Sequence, residues 1–239
     1  MNKTKIEWCD YTWNPVNGCR HGCAYCYART IAERFVGTKA FPNGFEPSFY
    51  PERLTEPAKV KSPSIIFAVS MGDLGGSWVD PSHVRAVFRA MTEAKHHRYV
   101  VLTKGDVEWL SDAARYEDIT TSVHIGISIT GRMDDHEAER LEDLSMVRKN
   151  RVLSLEPMLA AFDPERIRYY PIDWLIIGGQ TGATRVQPKP EWIEPLVQFC
   201  RSQGVPVFVK DNCGYPERVR EFPATFPLEA VERLEGVRS

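Results

Sequence analysis

Three cysteines stand within eight residues near the N-terminus, in the run Cys19-Arg-His-Gly-Cys23-Ala-Tyr-Cys26. An ordinary iron-sulfur cluster takes four cysteine ligands, so a compact group of three indicates a cluster with one iron left open to a substrate or cofactor. The same thiols could instead hold a structural zinc ion, with His21 or Cys9 as fourth ligand. Structural zinc usually takes two pairs of ligands separated by a longer spacer. The single group of three therefore favours the iron-sulfur cluster.

Short apolar runs recur along the chain between stretches with helical periodicity. Each run is rich in β-branched or aromatic residues, which is typical of strands buried on both faces of a parallel sheet. The predicted strands are Thr12 and Trp13 with Val16, and residues 65–69, 99–102, 125–129, 152–155, 174–177 and 205–209. One predicted helix has Asp80 as N-cap and Pro81 at its first position, and another spans about residues 191–203 and ends at Gly204.

Strands that alternate with helices close into a barrel with right-handed crossovers. We therefore predict an α/β fold, a partial or near-complete (β/α) TIM-like barrel of about six to seven parallel strands. The 239 residues, 43% of them hydrophobic, are predicted to form one domain over residues 1–239. A Pro- and Gly-containing loop at about residues 36–64 is expected to cover one mouth of the barrel. The charged tail at about residues 215–239 is expected either to pack as a closing helix or to stay mobile.

Chemistry in such barrels occupies the loops after the carboxyl ends of the strands. Polar residues and glycines follow the predicted strands at 17–18, 70–73, 103–105, 130–132, 156–157, 178–182 and 210–213. Lys104, Arg132 and Lys210 follow separate strands and, with Lys189, are expected to meet at one mouth that suits a carboxylate or phosphate. Lys210 is a candidate catalytic residue. The alternative is that these lysines are solvated at strand ends.

The composition of the chain limits the classes of partner that it is expected to bind. The formal net charge is -2, which gives no bulk attraction to nucleic acid or to an anionic membrane, so a polyanion would need a local basic patch. No apolar run has the length of a membrane helix, and the first residues lack a signal-peptide pattern. We expect a cytoplasmic protein with no membrane contact.

The CxxxCxxC pattern, with Tyr25 before its last cysteine, resembles the signature of the radical S-adenosylmethionine enzymes. The resemblance implies a [4Fe-4S] cluster held by Cys19, Cys23 and Cys26, with the amino and carboxylate groups of S-adenosylmethionine on the fourth iron. One electron from an external flavodoxin- or ferredoxin-type reductant would cleave the cofactor reductively. The resulting 5′-deoxyadenosyl radical would abstract a hydrogen atom from the substrate.

The same resemblance implies which residues contact the cofactor. In the superfamily, the loop after the second strand binds the cofactor's amino group, often with a Gly-Gly-Glu-like sequence, from which this chain departs. A serine on the fourth strand and a carboxylate after the fifth provide further polar contacts. A glycine pair after the sixth strand would let the backbone approach the adenine, or would only form a tight turn. The implied cofactor-binding residues are Tyr25, Ser70, Met71, Gly72, Asp73, Lys104, Ser128, Glu156, Gly178 and Gly179.

A narrower resemblance covers most of the chain. Eight short blocks, in order, are similar to a phage-associated family of radical S-adenosylmethionine proteins. The blocks lie at residues 6–8, 12–16, 26–28, 70–71, 102–104, 155–157, 172–174 and 178–179. This resemblance implies an isomerase, mutase or transferase acting on an anionic substrate, a modified nucleotide or DNA base, in the host cytoplasm. Two other classes remain open: a zinc-stabilised nucleic-acid-binding module without catalysis, and an electron carrier with a fourth cluster ligand.

The other three cysteines are expected to differ in role. Cys213 follows the last predicted strand, where a thiol could donate a hydrogen atom to a product radical or bind a metal, so it is a candidate catalytic residue. A loop cysteine without a role is the alternative. Cys9, before the first strand, and Cys200, on an apolar helix face, are expected to fill the core.

Overall fold

The computed structural model describes residues 1–182 and 185–236. Among these residues the strands are β1 (Asn2–Lys3), β2 (Tyr11–Trp13), β3 (Val16–Asn17), β4 (Ser48–Phe49), β5 (Ile65–Ala68), β6 (Arg98–Thr103), β7 (Val123–Ile129), β8 (Arg151–Leu155), β9 (Trp174–Ile177) and β10 (Val207–Val209). The helices are α1 (Tyr27–Arg34), α2 (Glu56–Lys59), α3 (Pro81–Thr92), α4 (Val107–Tyr116), α5 (Asp135–Met146), α6 (Glu165–Tyr169), α7 (Pro190–Ser202) and α8 (Leu228–Glu235). None of these helices is both long and apolar enough to cross a membrane.

One sheet dominates the fold, with the strand order β1-β2-β5-β6-β7-β8-β9-β10. From β2 to β10 every neighbouring pair is parallel, and β1 pairs antiparallel with β2 at the edge. Helices connect the successive parallel strands, which is the arrangement of a partial (β/α) barrel. The predicted α/β fold class is therefore confirmed, with seven parallel strands. The short strands β3 and β4 form a separate antiparallel pair.

The two faces of the sheet bury two different apolar cores, because successive side chains on a strand point to opposite faces. One face packs with the inward residues of α3, α4, α5 and α7. On α3, the predicted N-cap Asp80 accepts a hydrogen bond from the backbone N–H of Ser82 at 2.7 Å, which fixes where this helix begins. The other face forms the lumen of the barrel, whose core residues include Ile65, Val100, Val152, Trp174 and Phe208.

The C-terminal segment closes the lumen at the amino ends of the strands. Phe222, Phe226 and Ala230 pack into the lumen core, and α8 carries Ala230 there. Thr225 is held on both sides: its carbonyl accepts from Nε of Arg98 at 2.7 Å, and its hydroxyl bonds Nε2 of His124 at 2.9 Å. The described part of the tail therefore completes the apolar interior beneath the strand ends.

His124 is expected to make the fold less stable in mild acid. Burial, helped by the nearby Arg98 charge, lowers the pKa of His124 to about 3. An unfolded histidine has a pKa near 6.5, so below that pH the unfolded chain binds a proton that the folded chain does not, and stability falls as the pH drops. Between pH 7.5 and 5.0 this group alone should remove about 2 kcal/mol.

Urea unfolding at the two pH values measures this loss. His124→Asn removes the titration, so its free energy of unfolding should fall by about 2 kcal/mol less than that of the wild type over the same interval. Equal losses in the two proteins would show that His124 does not carry this acid sensitivity.

Candidate functional site

A cavity of about 500 Å³ opens at the carboxyl ends of the parallel strands. This is the end of a (β/α) barrel at which active sites lie. The three cysteines of the CxxxCxxC motif line one side of the cavity, and the residues that follow β8, β9 and β10 line the other. The structure thus brings the motif and most of the predicted strand-end residues to a single site.

The start of α1 shapes the cysteine loop. Cys26 is the N-cap of α1, and its sulfur accepts from the backbone N–H of Arg29 at 3.3 Å. Ala28 and Ala32 on the inner face of α1 pack against Phe45, which lies in the segment predicted to cover the barrel mouth. That segment contributes β4 to the pair with β3, next to the cysteine loop. The loop is therefore held between α1 and this segment.

The three motif cysteines are half-buried free thiols. Burial raises the pKa of Cys19 to about 11, so this thiol needs a bound metal to lose its proton at neutral pH. Within residues 1–182 and 185–236, no three His, Cys, Asp or Glu side chains are placed to hold a single metal ion. A cluster needs no such convergence, because each cysteine binds a different iron atom. The three thiols are the number of ligands that a cluster with one open iron takes from the protein.

Asp73 lies beneath the cysteine loop and is almost fully buried. Its Oδ1 accepts from the backbone N–H of Gly75 at 3.0 Å and from the hydroxyl of Thr103. Its Oδ2 lies 2.8 Å from both the backbone N of Lys104 and Nε2 of His21, which is part of the cysteine loop. Both carboxylate oxygens of Asp73 are thus engaged in hydrogen bonds within the protein. This geometry favours an anchor for the loop over the expected contact with the cofactor's amino group.

Asp73 belongs to the loop that follows β5. The other residues of that loop divide between the cavity and the core. Ser70 and Gly72 line the cavity, as the resemblance implies. Met71 instead packs against the small apolar cluster around Phe45, so its side chain does not line the cavity as a cofactor contact would. The backbone carbonyl of Ser70 accepts from the hydroxyl of Tyr27 at 2.7 Å, which joins the loop to the start of α1.

Lys104 stands directly beside the motif. Its Nζ donates to the hydroxyl of Tyr25 at 3.0 Å and lies 3.6 Å from the sulfur of Cys23. Burial acts to lower the pKa of Lys104, but Tyr25 and Cys23 outweigh it, and the pKa is raised above its ordinary value. The other predicted cations differ: Arg132 lines a neighbouring hollow, and Lys189 lies over the ring of Trp192. The expected convergence of four cations on this mouth is therefore wrong; of those four, only Lys104 and Lys210 line the cavity.

Glu156 and Lys210 form an ion pair on the side of the cavity opposite the cysteines. They follow β8 and β10, so the pair must cross β9, which lies between them. Gly178, just after β9, makes this crossing possible, because a Cβ there would lie 2.6 Å from Cδ of Glu156. Burial acts to lower the pKa of Lys210, but the Glu156 charge outweighs it and the pKa is raised. Gly178 thus makes room for a side chain, whereas the expected role was backbone contact with adenine.

Gly178→Ala is expected to destabilise the protein by roughly 1–3 kcal/mol, because the added methyl group displaces Glu156 and breaks its ion pair with Lys210. Unfolding by urea measures the cost. In a Glu156→Ala background the same substitution meets no carboxylate, so most of the cost should disappear. An equal cost in both backgrounds would contradict this role for Gly178.

Gly179 and Ser128 do line the cavity. The backbone N of Gly179 donates to Oδ1 of Asn212 at 3.0 Å, and its carbonyl accepts from Nδ2 at 2.9 Å. The Asn212 amide therefore fixes the turn after β9 against the turn after β10. These two hydrogen bonds hold both loops together at the cavity wall.

Cys213 does not reach this site, although Lys210 and Asn212 from the same loop do. Its 3₁₀ turn directs the thiol behind β9, where the sulfur lies 3.5 Å from the carbonyl of Ile177 and the residue is 2% exposed. Burial raises the pKa of Cys213 to about 12. The expected position of Cys213 at the mouth is therefore wrong. Cys9 and Cys200 are buried core residues, as predicted.

Several contributions to the cavity were missed from the sequence, and two of them are instructive. The N-terminal residues Thr4 to Trp8 line the cavity, and Ser154, inside β8, lines it as well. Strand parity could have identified Ser154, because it lies two positions before Glu156 on the same face. No periodicity marks the N-terminal segment, which crosses the barrel as irregular backbone.

Comparisons with known proteins agree with this architecture. A family model described as a protein of unknown function (DUF5131) matches residues 3–232. No curated protein matches the chain. The structure of spore photoproduct lyase complexed with dinucleoside spore photoproduct is similar at a TM-score of 0.60 and 12% identity, covering 87% of this chain and 78% of that chain. A single-residue variant of the same lyase gives 0.61 at 12% identity, with the same coverage. At such identities the likeness is one of fold.

Proposed function

Since the chain belongs to the DUF5131 family, whose description assigns no activity, we propose its function from the cavity: it is a radical S-adenosylmethionine enzyme. The observation that carries the proposal is the position of Cys19, Cys23 and Cys26 along one wall of the cavity at the carboxyl ends of the strands. The neighbouring folds are those of spore photoproduct lyase, which is itself a radical S-adenosylmethionine enzyme.

The three thiols would hold a [4Fe-4S] cluster, and the cavity beside them would hold S-adenosylmethionine. Together these groups supply reductive cleavage of the cofactor and a radical that abstracts hydrogen. The chain's part is to position and enclose them. Lys104 and Tyr25 border the cluster side, and Ser70, Gly72 and Gly179 offer polar contacts along the wall. Electrons would come from an external flavodoxin- or ferredoxin-type protein.

For the substrate we propose a nucleotide or DNA base, which the enzyme isomerises or otherwise modifies. The support is that a structure with a similar fold, that of spore photoproduct lyase, is complexed with a dinucleoside photoproduct. The charge of the cavity adds a constraint. Lys210 is neutralised by Glu156, so the cavity wall opposite the cysteines does not offer a free cation to a phosphate. Anionic parts of a substrate would remain at the solvent side of the mouth.

Anaerobic purification tests the proposal. A brown protein with about four irons per chain, which forms 5′-deoxyadenosine from S-adenosylmethionine after reduction, is the expected result. A colourless protein with one zinc ion would overturn the proposal and favour the zinc-stabilised module. An iron-loaded protein that leaves S-adenosylmethionine intact would overturn it as well and favour the electron carrier.

A further inference from the structure

Two residues that line the cavity each carry a buried polar atom with no hydrogen-bond partner among the described residues: Nε1 of Trp8 and Oγ of Ser154. Each residue is 1% exposed. Buried polar groups nearly always have a partner, and leaving one unpaired is costly. Since both residues line the same cavity, a group bound in that cavity would be a common source of the two missing partners.

These atoms belong to a distinct part of the cavity, the lumen floor, formed by Trp8, Phe67, Leu102, Ser128 and Ser154. The floor lies deeper in the barrel than the ends of the strands. Ser128 and Ser154 are direct neighbours in the pairing of β7 with β8, so two hydroxyl groups stand side by side. The ring of Trp8 lies 4.9 Å from the ring of Phe67, which gives the floor an aromatic surface.

The floor carries no charged side chain, and the lysines that line the cavity lie outside the floor. Lys104 bonds Tyr25, Lys210 pairs with Glu156, and Lys5 is exposed. Placing a phosphate or carboxylate on the floor would leave its charge uncompensated, which is strongly unfavourable. A ligand that fills the floor must therefore be uncharged there.

The hydrogen-bonding character of the floor narrows the ligand further. Indole N–H can only donate, so the ligand must bring an acceptor to Trp8, whereas the serine hydroxyls can donate or accept. A planar ring would pack on the aromatic surface. The combination of flat ring, carbonyl acceptor and a second polar edge is that of a nucleobase.

We propose that the lumen floor is a substrate subsite that takes the base of a nucleoside, ring first, with a base carbonyl on Nε1 of Trp8 and a second polar edge on Ser154 and Ser128. This assigns Ser128 to the substrate, whereas the resemblance implied a contact with the cofactor. The sugar and any phosphate then extend toward the mouth, where solvent compensates their charge. This assignment rests on the proposed function only for the reaction that follows binding.

Equilibrium dialysis of the anaerobic, cluster-loaded protein with S-adenosylmethionine tests the subsite. The probes are the four common 2′-deoxynucleosides, with 2-deoxyribose 5-phosphate for the part of a nucleotide that lacks the base. We expect at least one nucleoside to bind more tightly than the sugar phosphate. Trp8→Phe keeps the ring but removes the N–H, and Ser154→Ala removes only the hydroxyl; each should weaken nucleoside binding about five- to tenfold. Trp192→Phe and Ser202→Ala are matched controls remote from the cavity and should bind like the wild type.

Three results would overturn the subsite: no nucleoside binds, the sugar phosphate binds as tightly, or both floor variants bind like the wild type. The last would mean that ordered water satisfies the two atoms. If Trp8→Phe fails to fold, Ser154→Ala decides alone. Iron content and 5′-deoxyadenosine formation, measured on the same wild-type preparation, report the proposed function separately from the subsite.

Discussion

Cys23→Ala is expected to abolish cleavage of S-adenosylmethionine while the protein remains folded. Cys23 is half-exposed on the cavity wall, and its sulfur contacts the polar groups of Lys104 and Tyr25 at the cavity surface, so its loss costs the fold little. Mutation of a residue that only hydrogen-bonds to a metal ligand lowers metal affinity about 10–100-fold. Removal of a ligand itself should therefore lower iron content and turnover by more than about 100-fold. The readouts are iron per chain, the visible absorbance of the cluster, and 5′-deoxyadenosine.

Cys200→Ala is the matched control, because this thiol is buried on α7 among apolar residues far from the motif. It should lower the melting temperature slightly through lost packing and leave iron content unchanged. The prediction fails if Cys23→Ala retains iron and turnover, or if Cys200→Ala loses the cluster to the same extent.

The sequence is sufficient for the parallel strands because buried parallel strands are short, apolar and β-branched, and those properties are local. The two-residue strands β1 and β4, which are not buried, lack that pattern and were not predicted. The predicted strand at 65–69 is Ile65–Ala68 in the structure; Val69 adopts a positive φ of 60° and ends it. The general rule that loops at the carboxyl ends of strands meet then places the cysteines, Lys104 and Lys210 at one cavity without further information.

The direction of individual side chains is what local pattern did not predict. Met71 and Cys213 lie in loops that reach the site, but their side chains pack into cores. The role of Gly178 involves three neighbouring strands. Its missing Cβ matters only because Glu156, after β8, and Lys210, after β10, meet over the end of β9. Such relations arise from the assembled sheet. Reasoning from each loop alone therefore identifies the loops that reach the site. For these residues it does not predict where the side chain points or what the missing Cβ makes room for.

Asp73→Asn is expected to have the second large effect, on both the fold and the cluster loop. The carboxylate accepts four hydrogen bonds, including the backbone N of Lys104 and Nε2 of His21. An amide can place only one acceptor oxygen there, so its NH₂ group must face two donors. Leaving buried donors unsatisfied costs about 1–3 kcal/mol each, so we expect a loss of roughly 3 kcal/mol in the free energy of unfolding.

His21→Ala separates the two effects, because it removes only the bond between Asp73 and the cysteine loop. Its ring is partly exposed, so stability should change by about 1 kcal/mol or less, while iron retention should still fall about tenfold. Urea unfolding and iron per chain after desalting are the measurements. If His21→Ala retains iron like the wild type while Asp73→Asn loses it, Asp73 acts through the fold alone. If both lose iron while only Asp73→Asn is strongly destabilised, the Asp73–His21 contact positions the cysteines for the cluster.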